Sequence, residues 1–287
     1  MGHGKLKKFS ENETFSCLLQ PSSEEVLDRK NDSSWTPLQL KNHPIKGHWS
    51  SMMFHDRNCP VVLELGCGKG EYTVGLAEKN QDCNYIGVDI KGARLWKGAK
   101  YATENDLPNV AFLRTRIEFI EAFFAPGEIS EIWLTFSDPQ MKSENSRLTS
   151  PMFLERYRHF LKSGGIIHLK TDSTFLYEYT KAVCAANNLH VLASTSDLYG
   201  EGAGDGEGAM YSSEYSSVCG KAAVDALFAV QTFYEQNFLS QGFKINYIAF
   251  TIDHEGEYVT PEFDTAYWRE SEAPRFLPGS LQASRKH

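Results

Sequence analysis

Two acids frame a glycine-rich turn in the stretch "VVLELGCGKGEYTVGLAEKNQDCNYIGVDI", residues 61 to 90. Gly66, Gly68 and Gly70 alternate between an apolar run and a segment of helical spacing, so backbone without side chains can approach a ligand at a helix N-terminus. The spacing departs from the dinucleotide fingerprint G-x-G-x-x-G, because Glu71 occupies its sixth position. Glu64 stands two residues before the first glycine and would repel a pyrophosphate, so the ligand is expected to be neutral or cationic there. Asp89 ends the second apolar run, where a carboxylate accepts from both hydroxyls of a ribose. A nucleoside carrying a positive centre in place of phosphates satisfies these conditions, and S-adenosylmethionine is such a molecule. The competing reading is a tight turn flanked by two solvated acids.

The elements that must position these residues follow from the apolar pattern. Short β-rich runs recur at "VVLELG", "NYIGVDI", "VAFLRTR", "EIWLTF" and "IIHLKT", each passing through a polar or glycine-bearing turn into a stretch of helical spacing. Phe153, Leu154, Tyr157, Phe160 and Leu161 form one helical stripe, and Phe175, Tyr179 and Val183 another. This alternation predicts an α/β fold, a parallel sheet with helices on both faces, and chemistry beyond the carboxyl ends of the strands. "HVLASTS" reads as a sixth strand, "TFYEQNFLSQG" as a helix and "INYIAFTI" as a seventh strand. Three regions follow: a polar, irregular N-terminal extension over 1–58, a main domain over 59–253 with a glycine-rich insert at about 198–220, and an acidic tail over 254–287. Within the insert, "GEGAGDGEG" buries too little apolar surface to offset its ordering entropy and is expected to form a mobile loop. The tail carries Tyr258, Phe263, Tyr267 and Trp268 as docking aromatics.

Composition narrows the class. The 287 residues, 41% hydrophobic, are enough for a sizeable core. Lys and Arg number 29 against 37 Asp and Glu, a formal net charge of −8, which excludes a uniformly basic nucleic-acid binder but not a local basic patch. The six cysteines show no C-x-x-C pair and no zinc-ligand spacing, so no metal is expected and reduced thiols are. No membrane-length apolar stretch or signal-peptide pattern is present, which predicts a soluble, cytoplasmic protein, with monomer and homodimer both compatible.

"LELGCGKG" followed by "GVDI" resembles the class I S-adenosylmethionine-dependent methyltransferases, and the resemblance covers roughly residues 60 to 252. It implies a Rossmann-like sheet of seven strands, mostly parallel, with the last strand antiparallel. The stretch "IWLTFSDPQMKSENSRLTSPMFLERYRHFLKSGGIIHLKTDS", together with the later "TFYEQ", further resembles the bacterial tRNA (guanine-N7)-methyltransferases, in which a P-D-P turn, a nearby lysine, a K-x-G-G turn, T-D and T-x-x-E occur in this order. The family resemblance implies S-adenosylmethionine as cofactor, tRNA as partner, and methyl transfer to N7 of the variable-loop guanine at tRNA position 46.

Carried over by residue, the resemblance makes Glu64, Gly66, Gly68 and Asp89 cofactor-binding and Asp138 the catalytic acid, itself beside the cofactor. Arg116 and Ile117 occupy the place, after the third strand, where the family puts an acid near the adenine, so that contact is expected through backbone. Lys142, Asp172, Thr232 and Glu235 match positions holding the guanine or the tRNA. Local readings compete with several of these. Asp138-Pro139 is a favoured turn starter, Asp172 stands where a helix N-cap would, and Thr232 and Glu235 have capping-box spacing. Ser137 replaces the first proline of P-D-P, which loosens the turn that aims Asp138. Lys142, Arg147, Arg156 and Arg158, with Lys5, Lys7 and Lys8 of the extension, are the candidates for phosphate contacts. The alternatives are a class I methyltransferase acting on another RNA base or a small molecule, and a non-catalytic tRNA-binding relative.

Overall fold

A computed structural model describes residues 3–28, 39–200 and 224–272, without the side chains of His3, Lys5, Arg269 and Ser271. Residues 201–223, which hold most of the glycine-rich insert and Cys219, lie outside the described residues.

All seven expected strands form. In chain order they are β2 (Val61–Leu65), β3 (Asn84–Asp89), β4 (Val110–Arg114), β5 (Ile129–Thr135), β6 (Leu161–Thr171), β7 (Val191–Thr195) and β8 (Asn246–Thr251). A two-residue β1 (Leu18–Leu19) from the N-terminal extension adds an eighth, parallel to β4. The sheet order is β1-β4-β3-β2-β5-β6-β8-β7, and β8 alone runs against its neighbours. Chain order reverses between β2 and β5, so the loops leaving these two strands diverge and open a crevice at their carboxyl ends.

Successive side chains of a strand point to opposite faces. Val61, Leu63 and Leu65 therefore enter one core with Trp49, Phe123, Phe124 and Phe160, while Val62 enters the other with Tyr72, Phe112, Trp133 and Tyr247. Glu64 shares the face of Val62 and pairs in register with Trp133. That register brings the side chain of Thr135, two residues on, beside it.

The helices between the strands are α4 (Glu71–Lys79), α5 (Gly92–Glu104), α6 (Pro151–Arg158) and α7 (Thr174–Ala186), followed by α8 (helical at 224–229) and α9 (Phe233–Ser240). Their ends follow local chemistry. Pro151 opens α6, and the Ser173 hydroxyl caps α7 by accepting the Leu176 amide at 3.2 Å. The apolar stripe expected from Phe153 to Leu161 outruns its helix: Leu161 already begins β6.

Where described, both extensions are built into this frame, and residues 3–28 and 39–58, read from the sequence as irregular, include helices and a short strand. Helix α1 (His3–Asn12) packs along α5, where Trp96 donates to the Glu11 carboxylate at 2.6 Å and Asn12 donates to the Gly92 carbonyl at 2.9 Å. Short helices α2 (Ser23–Val26) and α3 (Trp49–Met53) follow; Trp49 is fully buried, stacked on Phe124 at 5.3 Å, with its indole donating to the Phe123 carbonyl. In the tail, Phe263 meets Phe175 and Tyr179 edge-on, and α10 (Thr265–Glu272) sets the buried Glu272 carboxylate against the start of α7, accepting the Phe175 amide at 2.7 Å. Among the described residues no helix is long and apolar enough to cross a membrane, and no cluster of His, Cys, Asp and Glu is arranged to hold a metal.

Candidate active site

A cleft of about 760 Å³ opens at the carboxyl ends of β2 to β5. It gathers Glu64, Gly66, Gly68, Asp89, Arg116, Ile117, Asp138 and Thr232 from the expected set. Lys142, Asp172 and Glu235 do not line it.

The glycine turn is built by backbone that only glycine adopts without strain. Gly66, Gly68 and Gly70 have φ of 77°, 59° and 73°. Gly70 faces inward: a Cβ there would lie 2.5 Å from the Phe112 ring, which also fills the space that Gly87 and Gly98 leave open. Gly66 and Gly68 differ, because a Cβ on either would meet nothing within 4 Å. The outer half of the turn thus presents bare backbone to the cleft.

Both framing acids anchor the turn. Glu64 accepts the Thr73 amide at 2.9 Å and the hydroxyls of Thr73 and Thr135, which ties β2 to α4 and β5. Asp89 accepts the Gly68 amide at 3.1 Å through one oxygen and the Lys91 amide at 2.6 Å through the other. Each carboxylate oxygen has two lone pairs, so two of the four on Asp89 remain for ligand hydroxyls. Burial raises both pKa values above their ordinary ones, against the hydrogen bonds that favour ionisation. Burial, reinforced by these neighbouring acids, also pushes the Cys67 thiol well up, so Cys67 stays a thiol and is no nucleophile.

On the opposite wall Phe136 leaves β5 with φ of 50°, a left-handed conformation that a bulky residue rarely adopts. The chain turns there, and the Asp138 carboxylate closes the turn by accepting the Gln140 amide at 3.0 Å. The turn is therefore closed without the proline that Ser137 replaces. Ser137 Oγ is buried with no hydrogen-bond partner among the described residues.

Three expected substrate positions sit elsewhere. Lys142 is exposed beyond the cleft. Asp172 is 5% exposed, and the N-cap of α7 is Ser173 rather than Asp172. Glu235 is fully buried: with Thr232 it forms the capping box of α9, it accepts from Tyr199 at 2.5 Å, and it pairs with the equally buried Lys170 at 2.7 Å. Burial lowers the Lys170 pKa and Glu235 opposes that shift.

Of the cations expected to hold phosphate, Arg147 is 2% exposed and lies over Phe175 and Tyr179, at 4.7 and 4.3 Å from the ring centroids. Arg156 is paired with Glu121 at 3.0 Å, and Arg158 with Glu155 at 3.5 Å. Lys7 pairs with Glu11, Lys8 lies over Trp96, and the side chain of Lys5 is outside the described ones. Among the described residues, the cations that line the cleft are Lys69, Lys91, Arg94 and Arg116, the last paired with Glu118 at 3.4 Å. Sequence reading missed the first three, and also Thr73 and Thr135, whose one signal was a hydroxyl placed where strand and helix ends converge.

Comparison with known proteins agrees with this geometry. A family model described as "Putative methyltransferase" matches residues 58–203. The tRNA (guanine-N(7)-)-methyltransferase of Bacteroides fragilis is 45% identical over 264 residues, 92% of each chain. That of Christiangramia forsetii is 46% identical over 250 residues, 86% of this chain and 97% of its own. The chain belongs to the tRNA (guanine-N(7)-)-methyltransferase family. Members of this family use S-adenosylmethionine, and the cleft fits that molecule. Bare backbone at Gly66 and Gly68 admits close approach, Asp89 keeps acceptor capacity for a ribose, the buried Glu64 beside the turn suits a cationic ligand when ionised, and the Ser137 hydroxyl has no hydrogen-bond partner among the described residues.

Proposed function

We infer that this protein methylates N7 of a guanine in tRNA, with the variable-loop guanine at position 46 as its target and the cytoplasm as its place of action. The observation that carries the reading is the meeting of the glycine turn, Asp89 and Asp138 along one cleft in a chain 45% identical to a tRNA (guanine-N(7)-)-methyltransferase.

When bound, S-adenosylmethionine supplies an electrophilic methyl group on a sulfonium. Guanine N7 carries an in-plane lone pair and no proton, so attack needs no general base. The work of the chain is alignment and electrostatics. Asp89 would hold the ribose hydroxyls, and the bare backbone at Gly66 and Gly68 would admit the nucleoside. Asp138 has one oxygen bound to the Gln140 amide and can turn the other to the guanine N1 and N2 hydrogens. Adenine presents a different edge, so the same contact selects the base. As positive charge passes to the purine ring, that carboxylate also stabilises it. Thr232 lines the same cleft and is assigned to its guanine side.

Unmodified tRNA incubated with the protein and S-adenosylmethionine, digested and analysed by nucleoside mass spectrometry, should yield 7-methylguanosine. A different methylguanosine, or no methylated nucleoside while the cofactor still binds, would refute the reading.

A further inference from the structure

Beside the cleft lies a second recess of about 340 Å³, walled by Lys69, Glu71, Lys97, Gln231, Phe233 and Gln236. Lys69 and Glu71 line both spaces, and Thr232 of the cleft adjoins Phe233 of the recess, so the two lie side by side. The Phe233 side chain is 57% exposed although it begins α9, and the Lys69 ammonium stands 5.6 Å from its ring centroid. Its backbone is held in place: the Phe233 amide donates to Glu71 at 3.1 Å, and the other oxygen of Glu71 binds Lys97 at 2.9 Å.

An exposed aromatic on a fixed backbone, with cations around it and side-chain amides at its rim, is the chemistry that receives an unpaired nucleotide. The ring stacks on the base, the Lys69 ammonium neutralises phosphate, and the Gln236 amide offers both a donor and an acceptor to a base edge. We propose that this recess binds the unstacked nucleotide next to the target guanine in the tRNA, with Phe233 as its stacking platform. The proposal rests on tRNA as substrate. It accounts for how the target is presented: a base drawn into the cleft leaves its neighbour without a stacking partner, and Phe233 supplies one at the adjoining site.

The test compares wild type with Phe233→Ala and Phe233→Trp on tRNA, and on tRNA made abasic at either nucleotide flanking the target. Phe233→Ala should raise KM and Kd for tRNA about tenfold or more, the range of one lost base–aromatic stack. Cofactor affinity and Tm should stay near wild type because the ring is exposed, and Phe233→Trp should retain tRNA affinity. On one of the two abasic tRNAs the difference between wild type and Phe233→Ala should vanish. If the Ala variant binds intact tRNA within twofold of wild type, or loses equally on both abasic tRNAs, the recess is not a nucleotide site. Wild-type methylation of intact tRNA is scored in the same assay, so a failure of the recess proposal is distinguishable from a failure of the proposed activity.

Discussion

The Asp89 carboxylate reaches from the end of β3 to the backbone amide of Gly68 at 3.1 Å, so the residue that would hold a ribose also sets the shape of the turn beneath it. Asp89→Asn keeps one acceptor oxygen and loses the charge and half of the acceptor capacity. Hydrogen bonds to a charged group contribute about 1.5–3 kcal/mol each. Calorimetry with S-adenosylmethionine should therefore show at least about a tenfold loss of affinity for the variant. Affinity equal to wild type would remove Asp89 from the ribose.

Glu64 and Asp89 give the free protein a defined pH response. Burial raises both folded pKa values above the unfolded ones, so the folded chain holds these protons more tightly. Their stabilising contribution is complete below the ordinary values of 4.5 and 3.8 and is lost as pH rises through the raised folded values. A bound cation favours the ionised forms and opposes the trend. Thermal unfolding followed upward from about pH 4 should show the gain in Tm from S-adenosylmethionine growing with pH. Glu64→Gln, whose oxygen can still accept from Thr73, should flatten that growth. A ligand-induced gain independent of pH in wild type would count against both acids as its electrostatic walls.

Asp138 separates alignment from cofactor binding. Asp138→Ala should lower turnover by about 10²-fold or more, the scale of one lost charge-stabilising contact in a transition state, with S-adenosylmethionine affinity nearly unchanged. Asp138→Asn preserves an acceptor for the Gln140 amide and so tests charge alone. If Asn restores wild-type rates, Asp138 serves the turn and not the reaction.

The buried pair of Lys170 and Glu235 predicts a stability phenotype where a substrate contact would predict a binding one. Lys170→Met leaves the Glu235 carboxylate buried without its cation, a loss of about 3–5 kcal/mol for a broken buried pair. Urea unfolding should show it as a lowered midpoint with the slope unchanged. A variant as stable as wild type with weakened tRNA binding would return Glu235 to the substrate side.

Arg94 in the cleft stands apart from Arg156 and Arg158 on α6, which are paired with Glu121 and Glu155. Arg94→Ala should reduce the slope of log affinity for tRNA against log salt by about 1, the signature of one lost phosphate contact. Arg158→Ala, on a residue already paired with Glu155, should leave the slope unchanged. The reverse pattern would move the RNA backbone to the α6 face.

What could be read in the sequence was what depends on neighbours in the chain. Short β-rich runs made β2 to β8 visible, and the glycine spacing with Glu64 and Asp89 marked the turn, because strand propensity and φ are local properties. The T-x-x-E spacing of Thr232 and Glu235 supported two readings with one pattern, and only the fold shows that Lys170 from β6 and Tyr199 surround that carboxylate.

The sequence by itself determined an α/β sheet, a glycine turn framed by two acids and the place of Asp138 after a strand end. Tertiary structure alone decided which polar side chains face the cleft. Arg147 is drawn under Phe175 and Tyr179, the N-terminal extension is folded onto α5 and into the core through Trp49, and the tail is fastened to α7 by Glu272. The physical reason is range: backbone geometry and hydrophobic period are set within a few residues, whereas burial and charge pairing depend on surfaces that meet only after strands far apart in the chain lie side by side.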